Sequence, residues 1–350
     1  MRLALPGRLA SRGRRAMATI SYSETGAPDH VLRMEGDPDI DDLRPSEVGI
    51  KMRYAAINPS DIDQIKGVYG VKPKLPAVAG NEGMGEVIKV GKNVKSLAVG
   101  DWVIPMPAAG FGTWRNLAKA SEDQVMKCPT NIPAEYAATI GVNPSTAYRM
   151  LHDFVKLEPG DVIIQNGCTS AVGLAVVQLA KKIGVTTINV QRARAPEDKA
   201  SELVKALGGD ILVEDNFLHT PRFYELISDL PPPKLALNCV SGRGTLDMAR
   251  ALGEGATLVT YGGMSGMPLH LDTSLIVDKG IKCEGFWITR WAQQATREQR
   301  SEMLQELANM MEQGELFQFY EKHSFRHFFR ALTAYSEPFK HRKVLLEMEA

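Results

Sequence analysis

A loop with the sequence NGCTSAVG, residues 166–173, carries the strongest chemical signal in this chain. It follows an apolar run at 162–164 and precedes a helical pattern at 173–182, which leads into a second apolar run at 186–190. A strand, a tight turn, a helix and a further strand in this order place a phosphate group on the backbone N–H groups of the helix N-terminus. The loop therefore predicts a nucleotide-binding turn.

Two arginines, Arg192 and Arg194, follow the second apolar run, where such units place the residue that contacts the adenosine ribose. An Asp or Glu there accepts a hydrogen bond from the free 2′-hydroxyl of NAD, whereas an Arg favours the 2′-phosphate of NADP. Because this segment holds arginines and no acid, it predicts NADPH as the cofactor.

The glycine pattern of the loop is incomplete. The dinucleotide fingerprint G-x-G-x-x-G falls on Cys168, Ser170 and Gly173, so a single glycine of the pattern is present. An ordinary turn of an α/β sheet, with both arginines in a solvated loop, is the alternative. Small residues at all three positions, together with the arginines, favour the cofactor.

The composition bounds the class of protein. A length of 350 residues suggests about two domains, and 44% apolar with 23% charged residues is typical of globular domains. No stretch approaches the roughly 18 apolar residues of a membrane-spanning helix, so no membrane insertion is expected. Four scattered cysteines indicate neither a disulfide framework nor a zinc finger and fit a reducing compartment. The formal net charge of +0 makes nucleic acid an unexpected partner.

The N-terminus is basic. Five arginines precede the first acid, Glu24, and an Arg- and Ser-containing segment without acids is typical of a mitochondrial transit peptide. We expect this leader to span residues 1–17 and to be removed near Ala18, leaving a mildly acidic protein. A basic tail that does no targeting is the alternative.

The chain changes character near Pro144. Residues 20–130 hold short strand-like runs broken by Gly and Pro, which predicts a small, mostly antiparallel β domain with strands at 48–56, 83–90 and 101–104. Strands then alternate with helices, which predicts a doubly wound parallel sheet. Its predicted elements lie at 162–166, 172–183, 186–191, 197–207, 211–213, 221–229, 234–240, 244–252 and 256–261.

The tail predicts a helix at 297–314, a short β piece with a helix at 324–335, and a strand at 343–348. Met303, Leu304, Leu307 and Met311 share one face of the first helix. We expect the last strand to rejoin the β domain rather than to extend the parallel sheet.

Several ungapped motifs resemble the medium-chain dehydrogenase/reductase superfamily over residues 20 to the C-terminus. These are NPSD at 58–61, GNEG at 80–83, VG at 90–91, GDWV at 100–103 and YGG at 261–263. A narrower set resembles the mitochondrial trans-2-enoyl-thioester reductases, which use NADPH in mitochondrial fatty acid synthesis. That set is GVYG at 67–70, GFGTWR at 110–115, GVNPSTAYR at 141–149, LALNCV at 235–240 and GFW at 285–287.

The resemblance implies an α/β fold with a Rossmann doubly wound parallel sheet and a GroES-like, mostly antiparallel β domain. It divides the chain after the leader into a catalytic domain at 18–143, a cofactor domain at 144–292 and a return to the catalytic domain at 293–350. It further implies a mitochondrial matrix enzyme that reduces the C2=C3 bond of trans-2-enoyl thioesters of acyl-carrier protein or coenzyme A. The superfamily suggests a homodimer formed near residues 265–285.

Zinc ligands are missing from the positions where zinc-dependent relatives carry them. Those relatives place a thiolate where this chain has Asn58 and a His-Glu pair where it has Asn81-Glu82, and a closed zinc site needs about four ligands. We therefore expect no metal. Without a metal to polarise a carbonyl, hydride addition to an activated C=C bond is the simpler reaction.

Reduction of an enoyl thioester adds hydride at C3, develops enolate charge on the thioester oxygen and requires a proton at C2. Tyr69 is the candidate acid, because a phenol is protonated at neutral pH and the residue matches the catalytic tyrosine of the family's Gly-x-Tyr-Gly motif. Packing of a turn aromatic on the β domain is the alternative. Trp287 also matches, and its indole N–H is suited to position the tyrosine or the substrate; an interdomain core residue is the alternative.

The cofactor-binding residues are carried over from the resemblance one by one. Asn143 matches a residue near the nicotinamide, with a helix-capping Asn as the alternative. The others are Thr169, Ser170, Ala171 and Val172 at the pyrophosphate, Arg192 and Arg194 at the 2′-phosphate, Tyr261, Gly262, Gly263, Met264, Phe286, Trp287 and Ile288 under the nicotinamide, and Lys343 near the cofactor.

An acidic acyl-carrier protein requires a local basic patch for docking. The candidates in the tail are Lys322, Arg326, Arg330, Lys340 and Arg342, and a merely solvated face is the alternative. Two other functions stay open at this point. One is a zinc-free NADPH quinone or enone reductase, and the other is a non-catalytic cofactor-binding interaction protein.

Overall fold

The computed structural model describes residues 18–107, 110–193, 199–337 and 342–348. The predicted leader at 1–17, together with Arg194 and Lys340, lies outside the described residues. Within those ranges, no helix is both long and apolar enough to cross a membrane.

The strands and helices are numbered in chain order. The strands are β1 Thr19–Tyr22, β2 Arg33–Glu35, β3 Glu47–Ala56, β4 Ala77–Val78, β5 Gly83–Val90, β6 Trp102–Pro105, β7 Leu117–Ser121, β8 Val125–Lys127, β9 Val162–Asn166, β10 Thr186–Gln191, β11 Ile211–Glu214, β12 Leu235–Asn238, β13 Thr257–Thr260, β14 Lys282–Gly285, β15 Tyr320–Ser324 and β16 Lys343–Glu347. The helices are α1 Pro28–Val31, α2 Pro59–Lys66, α3 Ala134–Ala137, α4 Asn143–Asp153, α5 Ala171–Lys182, α6 Ala200–Ala206, α7 Pro221–Leu226, α8 Arg243–Arg250, α9 Thr273–Val277, α10 Ile288–Gln294, α11 Arg297–Glu312 and α12 Phe328–Ser336.

The predicted doubly wound sheet is confirmed. Six parallel strands lie in the order β11-β10-β9-β12-β13-β14, and β9 and β12 are fully buried, as strands covered by helices on both faces must be. The predicted helix at 221–229 was too long, since α7 ends at Leu226. The sequence assignment also lacked β14, because its residues KCEG form no apolar run and all four are exposed. An edge strand of this kind is defined by its pairing with β13.

The β-rich part contains two sheets. A seven-stranded sheet runs β15-β16-β3-β5-β6-β8 with β7 paired to β3, and a three-stranded sheet runs β2-β1-β4. All of these pairs are antiparallel except β15–β16. Strand β16 pairs with β3 and places Leu345 opposite Ala56, so the prediction that the tail rejoins the β domain is confirmed.

The largest apolar cluster joins the two parts of the molecule. It contains residues of α4, α5 and α11 together with side chains of the β-rich sheet, among them Ala56, Met84 and Leu345. Met303, Leu304, Leu307 and Met311 are buried on α11, as the helical spacing predicted. Burial of this shared surface fixes the β-rich part against the parallel sheet, and the cleft between them holds the candidate site.

Candidate active site

Tyr69 and Trp287 meet across the cleft. The indole Nε1 of Trp287 donates a hydrogen bond to the Tyr69 hydroxyl over 2.7 Å, and the two rings stand edge to face with centroids 5.5 Å apart. The Thr289 hydroxyl lies 3.4 Å from the same phenol oxygen. The tyrosine lines a cavity bounded on one side by polar residues of the β-rich part and on the other by Ile288 and Thr289 of α10.

Local sequence explains where the tyrosine stands. Helix α2 ends at Gly67, which adopts a left-handed backbone (φ +79°) that glycine tolerates best. The chain then turns back, and the Val68 and Tyr69 N–H groups both donate to the Asp63 carbonyl at 2.9 and 3.1 Å. A Cβ at Gly70 would lie 3.1 Å from the Trp287 ring, so this glycine lets the indole approach.

A buried polar network forms the floor of the cleft. The Asn58 amide donates to Glu82 Oε2 over 2.8 Å and accepts a hydrogen bond from the amino group of Lys343. Glu82 Oε1 accepts the backbone N–H of Val142 over 2.9 Å. Through this carboxylate, residues 58, 82 and 343 are tied to the N-terminus of α4, which begins with Asn143.

Burial without full compensation changes the acid–base behaviour of this network. Desolvation raises the pKa of Glu82 to about 7, although the charge of Lys343 opposes the shift. Desolvation also raises the pKa of Asp61 to about 6, against hydrogen bonds from Asn58 and Asn81. Part of the Lys343 stem is exposed, but its amino group is inside, and desolvation lowers the pKa of that amino group.

Asn143 is buried, and its side-chain oxygen is left without a hydrogen bond by the described residues. Its side chain is 8% exposed, and its Oδ1 has no hydrogen-bond partner among the described residues. The residue does not cap α4, because Val142 stands at the N-cap and no side-chain cap bond is present. The capping alternative is therefore wrong. A buried acceptor without a partner fits a donor supplied by a bound group such as a nicotinamide carboxamide.

The predicted cofactor segments lie at one edge of the parallel sheet. The four segments, 167–172, 192, 261–264 and 286–288, follow the carboxyl ends of β9, β10, β13 and β14. Parallel strands end at the same edge, and ligands of such sheets bind outside that edge. The first segment, at the start of α5, is suited to bind the pyrophosphate. The residues at the start of α5 have N–H groups without an intrahelical acceptor.

The tight turn of the loop depends on two glycines, and one of them, Gly167, lies outside the positions of the fingerprint alignment. Gly167, one residue before the aligned position, carries the positive φ of +62°. A Cβ at Gly173 would lie 2.5 Å from the Gly167 carbonyl oxygen, so helix α5 can start here only with glycine. Ser170 caps α5 by accepting the Gly173 N–H over 3.1 Å. These features fit a pyrophosphate at this turn, and exposed Arg192 follows β10 as the 2′-phosphate assignment requires.

Other predicted cofactor residues fall in distinct surroundings. Phe286 is buried and packs edge to face on Phe154 with ring centroids 5.8 Å apart. The Tyr261 hydroxyl is buried beside Cys239, and burial raises the pKa of this tyrosine well above its usual value. Met264 is 64% exposed. Lys343 contacts the Asn58–Glu82 network and also lines a small void beside Ala171.

Sequence reasoning missed three features of the site. Thr289 follows Trp287 so closely that the GFW motif could have drawn attention to it. Glu82 and Asn58 were considered only as replaced zinc ligands, whereas the structure joins them to Lys343. Arg300 was not singled out at all, yet it lines the same cavity as Tyr69.

The positions at which a metal ion was considered are Asn58, Asn81 and Glu82. Over the ranges that the structure describes, no cluster of three or more His, Cys, Asp or Glu side chains is arranged to hold a metal ion. At the positions where zinc-dependent relatives carry ligands, Asn58 bonds to Glu82, and Asn81 bonds to Asp61 at 2.7 Å.

Comparison with known proteins agrees with this fold. Two family models match the chain, the alcohol dehydrogenase GroES-like domain at residues 44–130 and the zinc-binding dehydrogenase at residues 171–309. A GroES-like sheet beside a parallel nucleotide-binding sheet, with the site in the cleft between them, defines a medium-chain dehydrogenase/reductase.

Individual relatives narrow the class. The mitochondrial enoyl-[acyl-carrier-protein] reductase of Dictyostelium discoideum is 40% identical over 331 residues, which cover 95% of each chain. The Etr1p complex with NADP and crotonyl-CoA superposes with a TM-score of 0.88 at 35% identity, over 95% of this chain and 99% of that one. The mitochondrial 2-enoyl thioester reductase Etr1p/Etr2p heterodimer from Candida tropicalis gives 0.87 at 35% identity over the same shares. This chain belongs to the mitochondrial enoyl-[acyl-carrier-protein] reductase family.

Proposed function

We propose that this protein reduces the C2=C3 double bond of trans-2-enoyl thioesters with NADPH in mitochondrial fatty acid synthesis, with Tyr69 as the proton donor to C2. The observation that carries the proposal is the Tyr69–Trp287 hydrogen bond beside a cavity at the nucleotide-binding edge of the sheet. The acyl-carrier protein or coenzyme A supplies the thioester handle.

NADPH, when bound, supplies the hydride that is added to C3. The chain must hold the substrate and deliver the proton. Because the Trp287 N–H donates to the Tyr69 oxygen, the phenol proton remains available to be donated elsewhere. The same indole N–H stabilises the phenolate left after proton transfer, since hydrogen bonds to a charged form favour it.

The cofactor contacts follow from the sheet edge. Thr169, Ser170, Ala171 and Val172 are proposed to hold the pyrophosphate at the start of α5, and Arg192 with Arg194 to hold the 2′-phosphate. Asn143 is proposed to bond the nicotinamide carboxamide through its unpartnered oxygen. Tyr261 to Met264 and Phe286 to Ile288 are proposed to lie under the nicotinamide, and Lys343 to lie near the cofactor.

The direct test is an assay of the full-length enzyme with NADPH or NADH and trans-2-enoyl thioesters of increasing chain length. We expect NADPH oxidation that depends on the thioester and is much slower with NADH. Failure to oxidise NADPH with any enoyl thioester would favour the non-catalytic alternative.

We further propose that the carrier protein docks on basic residues of the tail. Arg326, Arg330 and Arg342 are exposed. Lys322 pairs with Glu135 at 3.2 Å and with Glu347 at 3.5 Å. Exposed cations attract an acidic partner and speed its association.

We also propose a homodimer through the β14 edge. All four residues of β14 are exposed, and an edge strand with unpaired backbone groups is a ready site for association. Large apolar side chains are exposed on the preceding segment. They are Met264, Met267, Leu269, Ile276 and Val277.

We place the protein in the mitochondrial matrix, delivered by the leader at residues 1–17.

A further inference from the structure

The hydroxyl group of Tyr69 has two side-chain neighbours of different chemistry. The indole Nε1 of Trp287 lies 2.7 Å from the phenol oxygen and can only donate to it. The Thr289 hydroxyl lies 3.4 Å from the same oxygen, and either of these two hydroxyl groups can be the donor. Of the two side chains bonded to Tyr69 in the described part of the chain, Thr289 alone can accept the phenol proton or replace it.

Thr289 lies between the cavity and the solvent. It is the second residue of α10, is half-buried and lines the same cavity as Tyr69. The next residue, Arg290, is exposed. The Thr289 side chain therefore borders both the proposed proton donor and the rim of the cavity.

Two other polar side chains of this cavity are engaged elsewhere. Glu82 accepts a hydrogen bond from the Asn58 amide at 2.8 Å, and the Gln64 carbonyl oxygen accepts one from Asn81 at 3.1 Å. No hydrogen bond within the described ranges joins Glu82 or Gln64 to Tyr69. A proton that reaches the phenol through the protein passes through Thr289.

The proposed reaction consumes the phenol proton in every turnover. After Tyr69 protonates C2, its oxygen is a phenolate, and the O–H bond must be restored before the next turnover. An acyl chain in the cavity shields this oxygen from water. A hydroxyl donates and accepts at the same time, so Thr289 can pass a proton to the phenolate while it receives one from the rim.

We propose that Thr289 is a positioning and proton-relay residue that returns the proton to Tyr69 after each turnover. This inference rests on the proposed function, in which Tyr69 is the acid. The O–H bond of Thr289 breaks as the O–H bond of Tyr69 forms, and the Thr289 oxygen takes a proton from a hydronium ion or a buffer acid. The net change is one solvent proton taken up per double bond reduced. A separation of 3.4 Å is long, and catalytic hydrogen bonds often tighten once the substrate is bound.

Thr289→Val keeps the shape of the side chain and removes the hydroxyl. The full-length variant is mixed at pH 8 with an excess of NADPH and crotonyl-CoA in a stopped-flow instrument. We expect a burst of one NADPH oxidised per Tyr69 at the wild-type rate, because the phenol starts protonated. Later turnovers should be about tenfold slower, a smaller loss than that of a positioned general acid because water replaces part of the relay. Thr289→Ser, which keeps the hydroxyl, should restore continuous turnover.

A relay responds to external acid, whereas a packing defect does not. Raising the imidazolium concentration at constant pH and ionic strength should speed the slow phase of Thr289→Val and leave the wild type unchanged. The slow phase should also become slower from pH 6 to pH 8, because the acid that reprotonates Tyr69 becomes scarcer. The KM values for crotonyl-CoA and NADPH should change little. Thr289→Ala repeats the test if the valine variant does not fold.

Ser60 provides a matched control, because it is a second hydroxyl residue that lines the same cavity. Within the described ranges it forms no hydrogen bond to Tyr69. Ser60→Ala should show neither the slow phase nor the response to imidazolium. If Ser60→Ala shows both and Thr289→Val shows neither, the assignment of the relay to Thr289 is overturned.

Tyr69→Phe separates failure of the relay from failure of the proposed function. If Tyr69→Phe is slow but Thr289→Val slows the first and later turnovers equally, or not at all, the relay alone is wrong. If Tyr69→Phe turns over normally, the acid role fails and the relay fails with it. When both proposals hold, Thr289→Val has no further effect in the Tyr69→Phe background, since there is no phenolate to reprotonate.

Discussion

The indole nitrogen of Trp287 lies 2.7 Å from the hydroxyl oxygen of Tyr69, although the two residues are 218 positions apart in the chain. Tyr69 belongs to the β-rich part, whereas Trp287 follows β14 of the parallel sheet and caps α10. The bond therefore joins the proposed acid to the side of the cleft that holds the nucleotide. It makes the position of the phenol depend on how the two parts pack.

Tyr69→Phe should abolish most turnover of a crotonyl thioester. Loss of a positioned general acid lowers kcat by about 10²–10⁴-fold. NADPH affinity should stay close to that of the wild type, since the residue is proposed to act on the substrate. Steady-state kinetics and a separate NADPH titration measure both quantities. A quinone substrate needs no acid at this position, so unchanged turnover would reject the acid role and favour a quinone reductase.

Trp287→Phe provides the graded control for that prediction. It retains an aromatic ring and removes the N–H that donates to Tyr69. A neutral hydrogen bond contributes roughly 0.5–1.5 kcal/mol, so kcat should fall by up to about tenfold, less than in Tyr69→Phe. A larger fall than in Tyr69→Phe would assign the main chemistry to the indole instead.

Replacement of Arg192 and Arg194 by Ala should weaken NADPH binding far more than NADH binding. Charge-assisted hydrogen bonds to the 2′-phosphate account for an expected loss of about 10–100-fold in NADPH affinity. Fluorescence titration of both nucleotides measures the change. The Lys double variant, which keeps the charge and loses the planar fork, should lie between the two. Equal losses for NADPH and NADH would contradict the 2′-phosphate assignment.

Glu82→Gln should flatten the dependence of stability on pH. The folded-state pKa of Glu82 is raised to about 7 from the usual 4.5. Between those values the native state binds more protons than the unfolded state, so wild-type stability falls as pH rises through that window. The variant lacks this titration and should lose roughly 1–3 kcal/mol less over the window.

Urea unfolding at pH 5, 6, 7 and 8 would measure that slope. The raised pKa of Asp61 has the same sign, so a residual slope should remain in the variant. Glu86→Gln is the matched control on strand β5, because Glu86 forms a partly exposed ion pair with Arg53. Parallel wild-type and Glu82→Gln profiles would show that Glu82 does not carry the titration.

Arg326→Glu with Arg330→Glu should raise the apparent KM for carrier-bound substrate and spare coenzyme A esters. Reversal of two charges at the docking surface weakens association with an acidic partner, mainly through the association rate. Lys92→Glu with Lys95→Glu, on exposed residues of the β5–β6 connection, repeats the charge change elsewhere. An equal rise in the apparent KM for carrier-bound and coenzyme A substrates would contradict the docking proposal.

Ile276→Lys with Val277→Lys should shift a dimer towards monomer. These side chains are 49% and 71% exposed beside the β14 edge, and charges there oppose close association. Light scattering coupled to size exclusion reports the mass directly. Leu226→Lys, at a residue 50% exposed on α7, controls for the loss of an exposed apolar side chain. A wild type that is monomeric at micromolar concentration would contradict the dimer.

The sequence by itself determined the features that depend on neighbouring residues. The order of strands and helices, the nucleotide turn and the return of the tail to the β domain follow from apolar runs, periodicity and turn residues. The sequence did not predict the backbone of the loop residue by residue, because the positive φ falls on Gly167 and not on the aligned Cys168. Backbone geometry of a tight turn depends on the exact path between β9 and α5.

Tertiary structure alone decided the contacts that close the cleft. Lys343 reaches Asn58 from 285 positions away, and Trp287 reaches Tyr69 from the opposite part of the molecule. Helical spacing put Met303, Leu304 and Leu307 inside, but it could not show that Arg300 of the same helix lines the cavity that holds Tyr69. Such facts arise from how two separately patterned regions pack together, and local patterns carry no information about that docking.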